Sequence, residues 1–337
     1  EAFRRRETYI ARLKAGLPID GDERNPRNPT FFEVAELYLK SHRGKPSTVE
    51  SYQQILNQFW IPHLGQIPML HMNYAQVLAA DNATEWTSAK TRYNAKIPLS
   101  GVFKLGISTL EDFNTNFSEK LPKEKLGAPE IDPFSADEKA AILAALAKLD
   151  QDALDFFTLA FETGVRLPGE LNALEWEQCN PAHIYIDRAF SRRRLTTPKT
   201  HEKRRVLLTP MAKTVLQRRP RPIHGGYVFT NTDGGPHLDG DIMNAWWRKA
   251  IDLANEKRQA PIRYRRAYNC RHTRATLDLM AGGKPAFLAK QQGHTMAQFF
   301  KSYGTWINSA DDEAELAAIV AGRSGMLTER QNEESSI

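Results

Sequence analysis

The stretch RRAYNCRHTRATLDLMAGG, residues 265–283, begins as a basic, aromatic-bearing loop and turns into an amphipathic helix that stops at a glycine pair. Arg265, Arg266, Arg271, His272 and Arg274 crowd its front, and no acid appears before Asp278. A helix N-terminus already carries positive partial charge, so cations gathered there are unfavourable unless an anion sits among them. The stretch therefore reads as an anion site, with a phosphate group as its occupant.

The charge of the remaining chain agrees with that reading. The net charge of +6 is modest, but it is unevenly spread. Residues 188–205, RAFSRRRLTTPKTHEKRR, hold eight Lys/Arg and one acid, and residues 257–274 hold seven Lys/Arg and no acid. The last twenty-seven residues hold seven acids and two bases. Two dense basic segments in one half of a near-balanced chain mark an electrostatic footprint for nucleic acid, the alternative being solvated basic faces.

Composition excludes other classes. With 41% hydrophobic and 26% charged residues, the 337-residue chain is ordinary for a soluble protein and long enough for two cored domains. No window approaches the apolar length of a membrane span, and no signal-peptide pattern is present. Cys179 and Cys270 lie far apart without metal-ligand spacing, which argues against a disulfide framework, a zinc site or any other metal centre and fits a reducing cytoplasm. A start at Glu1 instead of methionine fits a trimmed N-terminus.

Along the chain, residues 1–20 read as the end of a basic helical segment, followed by the linker-like LPIDGDERNPRNPT. Thr30 and Glu33 have capping-box spacing before a helix with Phe31, Val34, Leu37 and Tyr38 on one face. A second helix, capped at Ser47, repeats the pattern with Tyr52, Ile55, Leu56 and Phe59, and two more follow, so residues 28–113 form a small all-helical domain. Residues 114–133 have linker composition. A second domain, 134–308, starts at another capping box, Ser135 with Glu138, and continues through helices at 136–149 and 151–163. The segments AHIYIDR, RVLLT and YVFT supply a small β component, and helices follow. The fold class is mainly α with a small β-sheet.

Five places in the second domain could carry chemistry: Arg166 in TGVRLPGE, Lys199 in the turn between two strands, Arg271 in YNCRHT, His294 in QQGHT and Tyr303 in FFKSYG. Each has an ordinary explanation alone. Arg166 can pair with Glu170, a lysine at a turn is commonly solvated, and a tyrosine beside Phe299 and Phe300 is commonly core. The ordered set, over roughly 140 residues, resembles the catalytic domain of the tyrosine recombinases, the phage-integrase family. That family carries an arginine in a Thr-Gly-x-Arg turn, a hairpin lysine, a His-x-x-Arg box, a Gly-His and a tyrosine nine residues later.

The resemblance implies an all-helical core-binding domain followed by a mixed α/β catalytic domain, with residues 1–20 as the remnant of an arm-binding domain. It makes Tyr303 the nucleophile of a 3′-phosphotyrosyl link, Lys199 the general acid for the 5′-hydroxyl, and His294 a donor to the phosphate. Arg166 and Arg271 supply permanently charged planar forks suited to phosphate. The link conserves bond energy, so neither ATP nor a metal nor any other cofactor is implied. Arg192, Arg193, Arg194, Arg204, Arg205, Arg263, Arg265 and Arg266 would neutralise flanking backbone phosphates.

Three departures stand out. Tyr268 occupies the place of the box histidine, and a phenol does not exchange protons near neutral pH as imidazole does. The acid expected three residues after Arg166 is Gly169, with Glu170 one later, so a local insertion must be absorbed. Gln292 replaces a leucine and is expected to matter little. The tail helix in 309–337 is expected to dock on a neighbouring protomer.

The implied function is a site-specific recombinase of a phage or genomic island. It would act as a homotetramer on double-stranded attachment sites, at the nucleoid in a bacterial cytoplasm, with a host DNA-bending protein and an excision factor as further partners and no membrane role. The alternatives are a catalytically impaired DNA-binding regulator of the same fold and a type IB topoisomerase-like enzyme.

Overall fold

The first helix among the described residues, α1 (Phe31–Ser41), begins where the capping box places it: Thr30 Oγ1 accepts from the Glu33 backbone N–H, and Glu33 accepts from the Thr30 N–H at 2.9 Å. The computed structural model describes residues 28–127, 131–197 and 203–306, together with Leu316 and Val320. The expectations for residues 1–20, Lys199 and most of the tail lie outside the described residues. The chain divides into two compact units, Glu1–Ala128 and Pro129–Ile337, each with its own apolar core.

The described part of the first unit is helical. After α1 come α2 (Pro46–Ile55), a π-turn (Leu56–Trp60), α3 (Ile61–Leu64), α4 (Tyr74–Ala83) and α5 (Ala89–Thr109). The inward face of α1 is Phe31, Phe32, Val34, Ala35 and Leu39, while Leu37 is exposed, so the expected stripe is rotated slightly. Helix α2 starts at Pro46, and Ser47 makes no capping bond there. The buried Trp60 donates its indole N–H to the Ala95 carbonyl at 2.8 Å, tying the π-turn to α5. The polar stretch after residue 113 is not a free linker: Phe117 packs on this core and Leu121 is buried in it. Its Pro/Gly-bearing composition hid two anchoring side chains.

The second unit opens at the predicted capping box, with Glu138 N–H donating to Ser135 Oγ at 3.0 Å and Ser135 N–H to Glu138 at 2.8 Å. Helices α6 (Ala136–Leu149) and α7 (Gln151–Thr163) match the expected spans. Nearly every side of α7 is buried, and Phe134, Phe157 and Phe161 surround Trp247. Each such ring contributes roughly 2–3 kcal/mol of transfer free energy.

Short α8 (Gly169–Asn172) leads to β1 (His183–Ile186), β2 (Ala189–Ser191), β3 (Arg194–Thr196) and β4 (Arg204–Leu207). Strands β1 and β4 pair antiparallel with Ile186 opposite Arg204, as the sequence suggests. Between them β2 and β3 form a further hairpin, turning at Arg192 and Arg193 with φ of 48° and 62°. The YVFT segment forms isolated bridges, Glu175 with Tyr227 and Thr230 with Pro236, not a strand.

Helices α9 (Pro210–Arg218), α10 (Asp241–Asn255), α11 (Asn269–Met280), α12 (Pro285–Gln292) and α13 (Met296–Tyr303) complete the unit. Trp247 on α10 donates to the Arg265 carbonyl at 2.7 Å, fastening the basic loop ahead of α11. Ala275 and Leu279 of α11 meet Leu288, Ala289, Phe299 and Tyr303 in a small separate core. That packing brings the entrance of α11, the end of α12 and the end of α13 together.

Candidate active site

Helix α7 ends at Gly164, whose left-handed φ of 62° caps it and turns the chain toward Arg166. Arg166 donates from Nη1 to Glu170 at 3.0 Å and from Nη2 to the Gly293 carbonyl at 3.1 Å, while its backbone N–H meets the same carboxylate at 2.8 Å. The displaced acid therefore still reaches its arginine. Gly169, in the place of the usual acid, lies against β2, where a Cβ would stand 2.3 Å from the Phe190 carbonyl oxygen. A side chain at 169 would force backbone apart, and that close approach absorbs the insertion.

Glu170 also receives both ends of the Arg204 guanidinium, one at 2.9 Å. Burial alone would raise this carboxyl, but the Arg204 bonds and charge, with Arg166 beside them, bring it down to about 2. Arg204 is buried and gives its Nε to the Gln291 carbonyl at 3.2 Å. This corrects the expectation that Arg204 grips DNA: its charge is already matched inside the protein. Arg265 is corrected for the same reason, since it pairs with Asp132 at 2.7 Å and Glu138 at 3.0 Å and lies 4.7 Å from the Phe134 ring centre. Arg263 is exposed and shares Asp132.

Arg192, Arg193 and Arg194 at the β2–β3 turn, Arg205 on the outer face of β4, and Arg266 are exposed. Arg193 lies 3.5 Å from Asp239.

Arg271, in the first turn of α11, is fully buried. Its Nη1 donates to the Gly164 carbonyl at 2.6 Å, and its Nη2 to the Gln292 carbonyl at 2.5 Å and to His294 Nε2 at 2.8 Å. Its Nε is buried without a partner among the described residues. Burial, and then the neighbouring Arg166 charge, pull this guanidinium down to about 10. Its direct hydrogen-bond partners are all neutral, and the Glu170 carboxylate acts on it only through space.

His294 follows Gly293, whose φ of 64° ends α12. A guanidinium can only donate, so His294 Nε2 must accept from Arg271 and the ring proton lies on Nδ1. That Nδ1 is also buried and unpartnered among the described residues. Burial, then the Arg271 charge, lower this imidazole to about 3, so it is neutral. Arg271 Nε–H and His294 Nδ1–H are thus two buried N–H donors without a partner among the described residues.

Tyr303, the last residue of α13, is fully buried beside them. Its ring lies nearly parallel to His294 with centres 6.0 Å apart, and its hydroxyl is 2.9 Å from His272 Nδ1. Burial pushes the phenol up to about 12, against the lowering pull of Arg271. Tyr268 stands at the mouth of α11, 38% exposed, with its ring edge-on to His272 at 5.4 Å.

The structure therefore brings Arg166, Arg271, His294 and Tyr303 together, with Tyr268 at their edge. Two participants escaped the sequence reading. His272, given no role at the site from sequence, meets the tyrosine hydroxyl. Gln292, expected to matter little, is buried and donates to the Arg271 carbonyl at 3.2 Å while its own carbonyl accepts from that guanidinium. The spacing of Tyr268 and His272, one helical turn apart, could have flagged the first; nothing local flags the second.

No protein-family model matches the chain. It is 27% identical over 319 residues to the Escherichia coli K12 protein named "Putative defective protein IntQ", covering 85% of this chain and 74% of that one. It is 29% identical over 338 residues to prophage integrase IntR of the same strain, covering 84% and 78%. Among solved structures, a lambda integrase tetramer bound to a Holliday junction superposes with a TM-score of 0.66 at 19% identity, covering 81% of this chain and 78% of that one. No described helix is long and apolar enough to cross a membrane. The two-unit architecture and the order of elements around Arg166, Arg271, His294 and Tyr303 give the chain the fold of the tyrosine recombinases.

Proposed function

We propose that this chain is a site-specific DNA recombinase of the integrase kind, cutting and rejoining duplex DNA through a phosphotyrosyl link to Tyr303. One observation carries the proposal: a buried Arg271 that bonds no carboxylate directly and a neutral His294 hold two N–H donors without a partner among the described residues, near the buried Tyr303. A phosphodiester oxygen satisfies both donors and offsets the guanidinium charge.

Attack by Tyr303 on that phosphorus exchanges one phosphodiester for another, so the DNA bond energy is kept in the protein link. Arg271, with Arg166 beside it, stabilises charge on the non-bridging oxygens as the fifth bond forms. His294 donates Nδ1–H to one of those oxygens. Lys199, outside the described residues, protonates the departing 5′ oxygen in the family resemblance, and the same role is proposed here.

The exposed Arg192, Arg193, Arg194, Arg205 and Arg266 neutralise flanking phosphates and steer the duplex in. The first unit is proposed to bind core DNA and the second to carry the chemistry. Double-stranded attachment sites of a phage or genomic island are the proposed targets in a bacterial cytoplasm, with four copies of the chain joining two sites. The likeness to the prophage integrases and to the lambda integrase fold supports this reading.

A second reading, a DNA-binding protein impaired in cleavage, is favoured by Tyr268 in the place of the box histidine. Nicked suicide duplexes tiled across the DNA flanking the chain's own gene separate the two. The recombinase gives a covalent adduct that Tyr303→Phe does not form; binding without adduct on every duplex overturns the catalytic proposal.

A further inference from the structure

We infer that His272 is the proton acceptor for the Tyr303 nucleophile. The inference rests on the recombinase reading above and adds a residue to its chemistry. A buried phenol needs an acceptor within hydrogen-bond reach before its oxygen can attack phosphorus. His272 Nδ1, at 2.9 Å, is the partner of the Tyr303 hydroxyl among the described residues.

The other groups near Tyr303 are disqualified one by one. His294 stacks on its ring, but its Nε2 lone pair is taken by Arg271 and its other nitrogen carries a proton. Glu170 is held by Arg204 and Arg166. Tyr268, at the position of the box histidine, is a phenol and not an imidazole, and its ring meets His272. It lies ring edge to ring against His272 at 5.4 Å, one helical turn away at the N-cap of α11. The imidazole that sequence position 268 lacks is thus supplied from position 272 on the same helix face.

Burial, and then the Arg271 charge, lower His272 to about 4, while the phenol stands at about 12, so His272 is neutral, and with its proton on Nε2 its Nδ1 can accept from the phenol. That gap excludes full transfer before attack. As the Tyr303 oxygen bonds to phosphorus its proton becomes strongly acidic, and the phosphate charge offsets the guanidinium that depresses His272. Transfer is therefore concerted with attack. The O–H bond breaks and the proton joins Nδ1, while an oxygen lone pair forms the new O–P bond. The P–O5′ bond breaks with its electrons on O5′, which takes a proton from the general acid assigned to Lys199. In rejoining, the 5′-hydroxyl oxygen attacks phosphorus and gives its proton back to the general acid assigned to Lys199, while the Tyr303 O–P bond breaks with its electrons on the phenol oxygen, which takes its proton from the His272 imidazolium.

Two measurements on the full chain test the inference. In ¹⁵N-histidine NMR, assigned by difference with the His272→Asn variant, Nδ1 of His272 should be unprotonated and Nε2 protonated; the opposite tautomer overturns it. On a nicked suicide duplex that yields a wild-type adduct, His272→Ala should slow adduct formation by about 100-fold or more, with imidazole in the buffer restoring part of the rate. His272→Asn can accept a hydrogen bond but cannot take the proton, so it should remain as slow as His272→Ala. A wild-type rate in the folded alanine variant, or full rescue by asparagine, overturns the inference and leaves Tyr303 chemistry standing. Absence of any wild-type adduct instead overturns the recombinase reading beneath it.

Discussion

Two buried arginines in the second unit, Arg204 and Arg271, have opposite surroundings. Arg204 meets Glu170 through both ends of its guanidinium, and the pair is closed off by the Gln291 carbonyl. Arg271 meets two carbonyls and an imidazole, with Nε left over. Both belong to basic runs that look alike in sequence. The difference teaches that a run of positive charge holds two populations: arginines that fasten the fold through carboxylates, and arginines that the fold leaves without a directly bonded carboxylate.

The sharpest way to break this comparison is to remove each guanidinium in turn. Arg271→Met should reduce phosphotyrosyl adduct formation by about 10³-fold or more, because one well-placed arginine carries that much in phosphoryl transfer. In urea unfolding it should cost less stability than the companion change. Arg204→Met leaves Glu170 buried with only Arg166 against it and should lose about 3 kcal/mol of stability. Equal losses of stability from the two variants would erase the distinction.

Acid titration sharpens it next. His272 and His294 are neutral in the fold, lowered from 6.5 to about 4 and about 3, so below pH 6.5 the unfolded chain binds protons that the folded chain refuses. Stability should therefore fall as pH drops from about 6.5, before carboxylates protonate. Glu170, held at about 2 against an ordinary 4.5, contributes stability that is present above 4.5 and lost as pH falls toward 2. In a His272→Asn/His294→Asn double variant the melting temperature should stay flatter between pH 6.5 and 5, leaving the share of His237, which burial also lowers. An unchanged slope would show that these imidazoles are already protonated in the fold.

Salt dependence separates the surface arginines in the same spirit. Arg205→Ala should lower the slope of log affinity against log salt by roughly 0.9, the value for one lost phosphate contact. Arg265→Ala, whose charge is spent on Asp132 and Glu138, should weaken the fold without changing that slope. The smallest effect is expected from Tyr268→His, which should keep or raise the cleavage rate; a large loss would show that the phenol is needed for more than its ring contact with His272.

Much of this was legible in local signals. Both capping boxes, at Thr30 and Ser135, start helices where their spacing says they should. The ordered arginines, Gly-His and tyrosine led to one pocket. The β2–β3 hairpin was not legible, because its turn is made by Arg192 and Arg193 in left-handed conformation instead of the usual Asn-Gly or Gly. Arg204 and Arg205 could have been separated by strand alternation, since neighbours in β4 face opposite sides and only one faces the core. The roles of His272 and Gln292 depend on α11, α12 and α13 packing together, contacts that no window of sequence contains.

In the proposed function, the groups around Arg271 place a phosphodiester against Tyr303. Trapping the full chain on nicked suicide duplexes, digesting it and mapping the DNA-linked peptide by mass spectrometry tests this directly. One linked peptide is expected, containing Tyr303 joined to a DNA 3′-phosphate, and none from Tyr303→Phe. A link at any other residue, or an adduct that persists in Tyr303→Phe, would contradict it.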